Sequence, residues 1–555
     1  MTDEVRAEGA GPPGTGTGRS AGPDVTGDTS TADDRGDPTD EDLPLGLTLL
    51  AAAVAAVVVA PLGWLVLTAL RIDPASAVDT LTRPETLRVV RNSLLAVGLV
   101  TAAAIALGVP LAYLTVRTDL PFARFWTVAL SLPLVIPSYI GAFAFVSAFG
   151  PSGQLQAVLA PLGVRRLPSL YGLDGTVLVL TLYTYPYVYL SARSALLTVD
   201  ERLVDAARTL DHGRLAAFRR VVVPHLRPAV TAGSLLVALY ALADFGTPAI
   251  MRYDVFTRVI YVNRFELDFA ALLSLQLVAA AAVILALESR VGGRRGSVTA
   301  SRRSNPLSLG RWRWPATLLP AAVAGTALLV PVAILLTWLV RDGFAGNAVG
   351  FGPGTVLNSV GVAGATAVVA AAACLPVAVL AARHDGPVVE SLFRATYVGY
   401  AVPGVALGFA LIYLGTRYLT PLYQTLPLLV FAYVVRFLPQ AVGSTRAAVL
   451  GVDPDLPAAA RTLGRSPVGA FRAVTLPLIA PGVLAGGALV FLSTMKELPV
   501  TLLVRPTGFD TLVTAIWSAE RAGYFGAAAV PALVLLVVSG LSMAVLFVGD
   551  GGGRW

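Results

Sequence analysis

Long apolar stretches follow one another along almost the whole chain. A bilayer core needs about 20 apolar residues in a helix, so each stretch predicts a membrane-spanning helix. The stretches lie near residues 45–70, 92–116, 124–149, 173–197, 226–250, 268–289, 315–340, 357–381, 391–415, 421–443, 478–503 and 526–548. We therefore predict an all-α polytopic membrane protein with about twelve transmembrane helices.

Composition excludes several classes of protein. Of the 555 residues, 55% are hydrophobic and only 14% are charged, whereas soluble domains are about 25% charged. The net charge of +7 is small for this length and lies between apolar stretches, so it does not indicate nucleic-acid binding. The single cysteine, Cys374, excludes a disulfide framework and a cysteine metal cluster.

The charged segments predict the orientation. Residues 1–43 are acidic and rich in Gly, Pro and Thr, which indicates a disordered tail and not a signal peptide. The linker 291–314 and the loop 198–225 are rich in Arg, which places both in the cytoplasm by the positive-inside rule. An even number of spans then puts both termini in the cytoplasm. We expect the protein to lie in the plasma membrane.

The chain contains an internal duplication. Three prolines, at 110, 121 and 137, recur with constant spacing at 376, 387 and 403. We expect a first repeat over 44–290 and a second over 315–555, each with six spans. Because six is even, the repeats are parallel and related by an axis along the membrane normal. Two similar halves around such an axis are expected to enclose one central path.

A loop motif also occurs twice. DAARTLDHGRLAAFRRVVVPHLRP begins at Asp205, and AAARTLGRSPVGAFRAVTLPLIAP begins at Ala458. Both resemble the cytoplasmic loop of binding-protein-dependent ABC importer permeases, in which a short coupling helix inserts into the ATP-hydrolysing subunit. The resemblance implies coupling loops at 198–225 and 444–477. The implied coupling residues are Asp205, Ala206, Ala207, Arg208, Asp211, Gly213, Ala458, Ala459, Ala460, Arg461 and Gly464.

The two copies depart from the family pattern in different places. Ala458 stands where an acidic residue is expected, and Asp211 stands where Gly464 stands in the other copy. Small residues allow close approach to a partner, and a glycine permits the positive-φ turn that ends the helix. We therefore expect unequal docking surfaces. Arg208 and Arg461 either pair with acidic groups of the partner or anchor the loops by the positive-inside rule.

The resemblance also implies separate partners. A phosphate-binding loop needs Gly-Lys followed by Ser or Thr, and the one lysine, Lys496, follows Met495. ATP hydrolysis is therefore expected in two separate ATP-binding subunits on the cytoplasmic side, with an extracytoplasmic solute-binding protein on the other. The sequence predicts no catalytic residue, metal site, cofactor or nucleic-acid partner. Membrane lipid is expected to surround the spans.

Three ionisable residues lie inside predicted spans. Charges at the bilayer centre cost about 2.5–3.5 kcal/mol on insertion scales, so they usually face a bundle interior. Asp244 and Glu497 are repeat equivalents, and Lys496 precedes Glu497. One interpretation is a gate on the path of a cationic solute. The other is a structural acid that pairs with Lys496 or caps a broken helix beside Gly246 and Pro499.

The transported solute is inferred from resemblance alone. The stretches YALADFGTPAIMRYDVFTRVIY, from Tyr240, and STMKELPVTLLVRPTGFDTLVTAIW, from Ser493, are similar to those of fused ferric-iron permeases. Thiamine or another small cation is the alternative solute. An ion-gradient-driven secondary transporter is the alternative machine, since it too can carry a parallel repeat.

Overall fold

The computed structural model describes residues 43–150, 156, 160–163, 170–199, 218–292, 307–342 and 351–549. In these ranges the chain is helical, apart from loops and one isolated β-bridge between Thr118 and Leu307. The helices of the first part are α1 Leu45–Leu70, α2 Pro74–Thr82, α3 Pro84–Arg117, α4 Ala123–Ser131, α5 Ser138–Phe149, α6 Leu173–Thr198, α7 Val223–Ala243, α8 Gly246–Ile250, α9 Phe256–Val262 and α10 Leu267–Gly292.

The second part has a corresponding series of helices. They are α11 Leu318–Ala324, α12 Val330–Asp342, α13 Pro353–Arg383, α14 Pro387–Ala401, α15 Gly404–Arg417, α16 Leu426–Leu450, α17 Asp455–Thr462, α18 Pro467–Ala470, α19 Leu476–Met495, α20 Pro499–Val504, α21 Leu512–Arg521 and α22 Phe525–Gly549. A π-helical turn lies at Phe218–Val222 before α7, and another lies at the equivalent Phe471–Thr475 before α19.

Many of the described helices can cross a membrane. Eight are long and apolar enough, and ten spans result if each of two bent helix pairs counts as one. The predicted stretches near 173–197 and 526–548 correspond to α6 and α22, which are 26 and 25 residues long. The all-α polytopic fold is confirmed, while the count of about twelve spans stays a prediction.

Four stretches predicted as single spans are broken. The helix pair at 124–149 bends by 91°, and the pair at 391–415 bends by 98°. The helices predicted over 226–250 and 478–503 are interrupted beside Asp244 and Lys496 before they restart as α8 and α20. Proline explains two of the breaks, at 137 and 403, because it disfavours helical geometry in the residue before it, and Ile136 and Val402 are extended.

Matching hydrogen bonds in the two halves confirm the duplication. The side-chain amide of Asn92 donates to the carbonyl of Asp254 over 3.1 Å, and that of Asn358 donates to the carbonyl of Asp510 over 3.0 Å. Helices α3, α6 and α7 pack together in one half, as α13, α16 and α19 do in the other. We call the end of the bundle that holds Asp254 and Asp510 the far end.

A second matched pair marks the opposite end. The guanidinium of Arg117 donates to the carbonyl of Val199 over 3.3 Å, and that of Arg383 donates to the carbonyl of Val452 over 2.7 Å. Val452 directly precedes the segment that carries α17. We call this end the loop end.

The first helices of the two halves are exchanged. Helix α1 packs on α13, α14 and α15 as well as on α10 of its own half, whereas α11 packs on α4, and α12 packs on α5 and on α22 of its own half. Leu307, which leads into α11, donates to the carbonyl of Arg117 over 2.8 Å and accepts from the backbone N–H of Asp119 over 3.2 Å. The halves that the sequence delimits are therefore interlocked in three dimensions.

Candidate functional site

A cavity of about 320 Å³ lies where the helix breaks of both halves meet. Its wall includes the start of α5, the α7–α8 break, the middle of α16 and the α19–α20 break. The polar lining residues are Ser138, Tyr139, Tyr187, Tyr240, Asp244, Tyr400, Arg436, Gln440, Ser493, Lys496 and Glu497. All three ionisable residues singled out in the sequence therefore line one cavity, and their role in transport stays a prediction.

Asp244 caps the short helix α8. Its Oδ2 accepts from the backbone N–H of Thr247 over 2.9 Å, which satisfies a donor that the helix leaves free. Its Oδ1 accepts from the hydroxyl of Ser138, at the start of α5, over 2.6 Å. The carboxylate thus joins two helix breaks of the first half, and it has no ion-pair partner among the described residues.

Glu497 caps the equivalent helix α20 in a different way. Its Oε1 accepts from the backbone N–H of Val500 over 3.2 Å, and its Oε2 lies 3.1 Å from Nε of Arg436. Nη1 of Arg436 also donates to the carbonyl of Val402, at the α14–α15 break, over 3.0 Å. A buried ion pair therefore replaces, in the second half, the hydroxyl contact that Asp244 makes in the first.

Gly404 leaves the space that this ion pair needs. A Cβ atom built on Gly404 would lie 2.6 Å from Oε1 of Glu497 and 2.9 Å from Nη1 of Arg436. Both distances are below normal contact with carbon. The repeat equivalent of Gly404 is Ser138, whose side chain fits because Asp244 is one methylene shorter than Glu497.

The ammonium group of Lys496 makes no ion pair or hydrogen bond with any residue that the structure describes. The pairing of Lys496 with an acid, which the sequence allowed, is therefore not formed, and Arg436 takes its place. The helix-capping interpretation of the two acids is confirmed, because both accept from the third residue after themselves.

Aromatic rings close the cavity towards the far end. Phe245, which lines the cavity, has its ring centroid 4.8 Å from that of Tyr261 and 5.3 Å from that of Trp517. Tyr261 and Trp517 are themselves 6.1 Å apart with nearly perpendicular planes. Each is the sixth residue of its helix, α9 and α21, so they are repeat equivalents that meet across the axis between the halves.

The second segment that the sequence predicts to couple to an ATP-hydrolysing subunit is a helix with an apolar exposed surface. It comprises α17 and its end, where Gly464 has φ +85°, as predicted. Arg465 donates its N–H to the carbonyl of Ala460, and Gly464 donates to that of Arg461, which together form a Schellman cap. Ala460 is buried, whereas Ala458, Ala459 and Arg461 are exposed.

Three large apolar side chains surround this segment on the outside. Leu456, Leu463 and Val468 have 49%, 85% and 61% of their surface exposed. An exposed apolar patch beside charged residues is typical of a protein–protein contact. The first coupling segment, with Asp205, Ala206, Ala207, Arg208, Asp211 and Gly213, lies outside the described residues.

Comparison with known proteins identifies the class. The family model of binding-protein-dependent transport system inner membrane components matches twice, over residues 104–289 and 374–548. The two matches cover more than half of the chain, one in each repeat. The chain belongs to this family. It is therefore a multi-pass membrane permease of a transport system that depends on a binding protein.

Relatives of the permease have different named cargoes. The Fe(3+)-transport system permease protein FbpB 2 of Haemophilus influenzae is 30% identical over 91% of this chain and 98% of its own length. The ferric transport system permease protein FbpB of Actinobacillus pleuropneumoniae is 25% identical over 86% and 73%. The sulfate transport system permease protein CysT of Salmonella typhimurium is 26% identical over 45% and 94%.

Sequence reasoning missed several cavity residues of the permease. Arg436 lies in the apolar stretch FAYVVRFLPQ, and a lone arginine in such a stretch was a signal that could have found it. Ser138, Tyr139 and Gln440 carry no such signal, because an uncharged polar residue inside a span is common. Among the described residues, no three His, Cys, Asp or Glu side chains lie close enough to hold a metal ion.

Proposed function

We propose that the permease forms the translocation path of an ATP-driven importer for ferric iron. The observation that carries the cargo is the match to a ferric permease along 98% of that protein's length. The sulfate permease aligns with only 45% of this chain. The fused arrangement of two repeats is thus shared with the ferric relative and not with the sulfate one.

We infer that two separate ATP-hydrolysing subunits bind at the loop end, which faces the cytoplasm together with both termini. The exposed apolar surface around α17 supports this placement, since it needs a partner outside the membrane. The chain offers no phosphate-binding loop of its own. The extracytoplasmic binding protein then docks at the far end, against α9 and α21.

Helix α19 connects the proposed docking surface with the cavity. It follows α17 and α18 in the chain and ends at Met495, directly before Lys496 and Glu497. Twenty residues of helix span about 30 Å, so a displacement at α17 reaches the cavity through one rigid element. Closure of the ATP-hydrolysing subunits would tilt the repeats 44–290 and 315–555 against each other. The path would then open in turn to each side of the membrane.

In this mechanism, Asp244, Lys496 and Glu497 are gate and path residues. Asp244 and Glu497 hold the starts of α8 and α20, so any rotation of the halves changes their distance across the axis. Lys496 and Asp244 supply the charges that no ion pair neutralises among the described residues. The solute therefore meets one carboxyl group and one amino group that have no ion-pair partner among the described residues.

Uptake of radiolabelled ferric iron, thiamine and sulfate by cells with and without the gene tests the proposal. Each uptake is measured with cellular ATP intact and depleted. We expect iron uptake that needs both the gene and ATP. Gene-dependent uptake of thiamine or sulfate alone would refute the cargo, and uptake that survives ATP loss but collapses with the ion gradient would refute the ATP-driven mechanism.

A further inference from the structure

The carboxylate oxygens that line the cavity already have partners in the protein. Both carboxylate oxygens of Asp244 accept hydrogen bonds, from Ser138 and from the backbone of Thr247. Glu497 accepts from the backbone of Val500 and pairs with Arg436. The two acids are therefore held by the protein itself, although Asp244 has no ion-pair partner among the described residues.

The unused groups of the cavity are donors. The ammonium of Lys496 has no partner among the described residues, and neither has the buried hydroxyl of Tyr139. The side-chain oxygen of Gln440 accepts from Ser493 over 2.9 Å, while its amide nitrogen makes no hydrogen bond to the described chain. A donor that is removed from water without gaining an acceptor is unfavourable, so these groups favour a ligand that can accept from them.

Charge and donors together define the ligand. An unpaired carboxylate attracts a cation, whereas an ammonium with free neutral donors accepts a ligand rich in oxygen acceptors. The cavity of about 320 Å³ is several times larger than the roughly 30 Å³ that one water occupies. It therefore has room for a metal ion together with a small oxyanion.

We propose that the cavity is a subsite for a metal–oxyanion pair, in which Lys496, Gln440 and Tyr139 bind the oxyanion while Asp244 faces the metal. This inference rests on the proposed import of ferric iron, a hard cation that retains oxygen ligands. The same donors would also bind a free oxyanion cargo. In both cases, with iron or as a free cargo, the ligand at Lys496 is a small anion with several oxygen acceptors.

The test uses the complete importer, reconstituted in vesicles with its ATP-hydrolysing subunits and its iron-loaded binding protein. Radiolabelled ferric iron and phosphate with a second label are supplied together, and both labels are counted inside the vesicles. We expect iron and phosphate to enter in a fixed ratio. We expect Lys496→Met to lower entry of both by roughly tenfold, since it removes one charge-assisted hydrogen bond.

Three variants separate binding from folding. Lys496→Arg keeps the charge and is expected to retain most of the transport, while Gln440→Leu removes one neutral donor and lowers it less than Lys496→Met. Arg394→Gln is the matched control, because it removes an exposed charge on α14 that does not line the cavity. Assembly is monitored by size-exclusion chromatography and by the basal ATPase rate of each complex.

The outcomes distinguish an oxyanion that enters together with iron from an oxyanion that is itself the cargo. Iron entry without phosphate and without sensitivity to Lys496→Met overturns the subsite while leaving iron import intact. Phosphate entry without iron, lost in Lys496→Met, supports the oxyanion subsite but refutes the ferric cargo. An equal loss in Lys496→Arg and Lys496→Met, with assembly intact, also overturns the proposal, because the charge would then not be what matters.

Discussion

At the scale of single residues, the two halves stabilise their equivalent helix breaks with different side chains. Asp244 and Glu497 each cap a short helix, but Ser138 completes the first site and Arg436 completes the second. A buried ion pair is strongly destabilised when one partner is removed, because the other charge stays in a poorly solvated place. The second half therefore depends on Arg436 in a way that the first half does not.

Gly464 is the residue whose conformation shapes the proposed docking surface. Nothing lies within 4 Å of a Cβ built there, so a side chain meets no clash, but φ is +85°. A β-branched residue in this region costs about 1–2 kcal/mol. We expect Gly464→Val to remove the Schellman cap and to lower ATP-dependent uptake and ATPase binding, while the spans keep their thermal stability in detergent.

Gly464→Asn is the matched control for this prediction, because asparagine tolerates the left-handed region better than other residues. It should retain most of the coupling. Full transport by Gly464→Val would show that the end of α17 does not transmit force to the cavity.

At the scale of helices, we expect the aromatic contact between α9 and α21 to close the path towards the far end. Trp517 and Tyr261 are equivalent, and Phe245 separates them from the cavity. An aromatic pair contributes about 0.5–1.5 kcal/mol beyond its buried area. Loss of one ring should therefore open the far end more often, by roughly two- to tenfold.

Thiol labelling measures this opening. Cys374 is the single cysteine and is buried, so Cys374→Ser gives a background in which Ser493→Cys reports from the cavity wall. A membrane-impermeant maleimide added outside intact cells should label the probe faster in Trp517→Ala. Trp517→Tyr, which copies Tyr261, should restore slow labelling, and an unchanged rate in Trp517→Ala would place the closure elsewhere.

The helices also show how far sequence reasoning reaches. Local signals predicted the duplication and the positive φ of Gly464, and they offered helix capping as one of two interpretations of Asp244 and Glu497. The ion pair of Glu497 with Arg436 and the free ammonium of Lys496 depend on which helices meet, and no local pattern encodes that choice. The first coupling segment stays a prediction.

At the scale of the whole molecule, the exchanged first helices join the repeats. Helix α1 packs on α13, α14 and α15, while α11 and α12 pack on α4 and α5. We expect a chain cut within residues 293–306 to give two fragments that copurify when they are coexpressed. Either fragment alone should be degraded or aggregated in detergent, because the contacts of its first helix with the other half are then lost.

Size-exclusion chromatography with light scattering checks this expectation. The matched control is the uncut chain purified in the same detergent. A monodisperse first fragment, with the thermal midpoint of the full permease, would contradict it and would make each repeat a folding unit of its own.

The lone ammonium group of Lys496 has a consequence for the origin of the fused chain. Two identical subunits around a twofold axis present every charge in duplicate, so their shared path can hold only even numbers of each. Here the position of Lys496 is occupied by Ala243 in the first half, and that of Arg436 by Tyr183. Divergence of the two repeats frees the path from this constraint, because one side of the axis can then carry a charge that the other side lacks, and fusion keeps the two unlike repeats together in one chain.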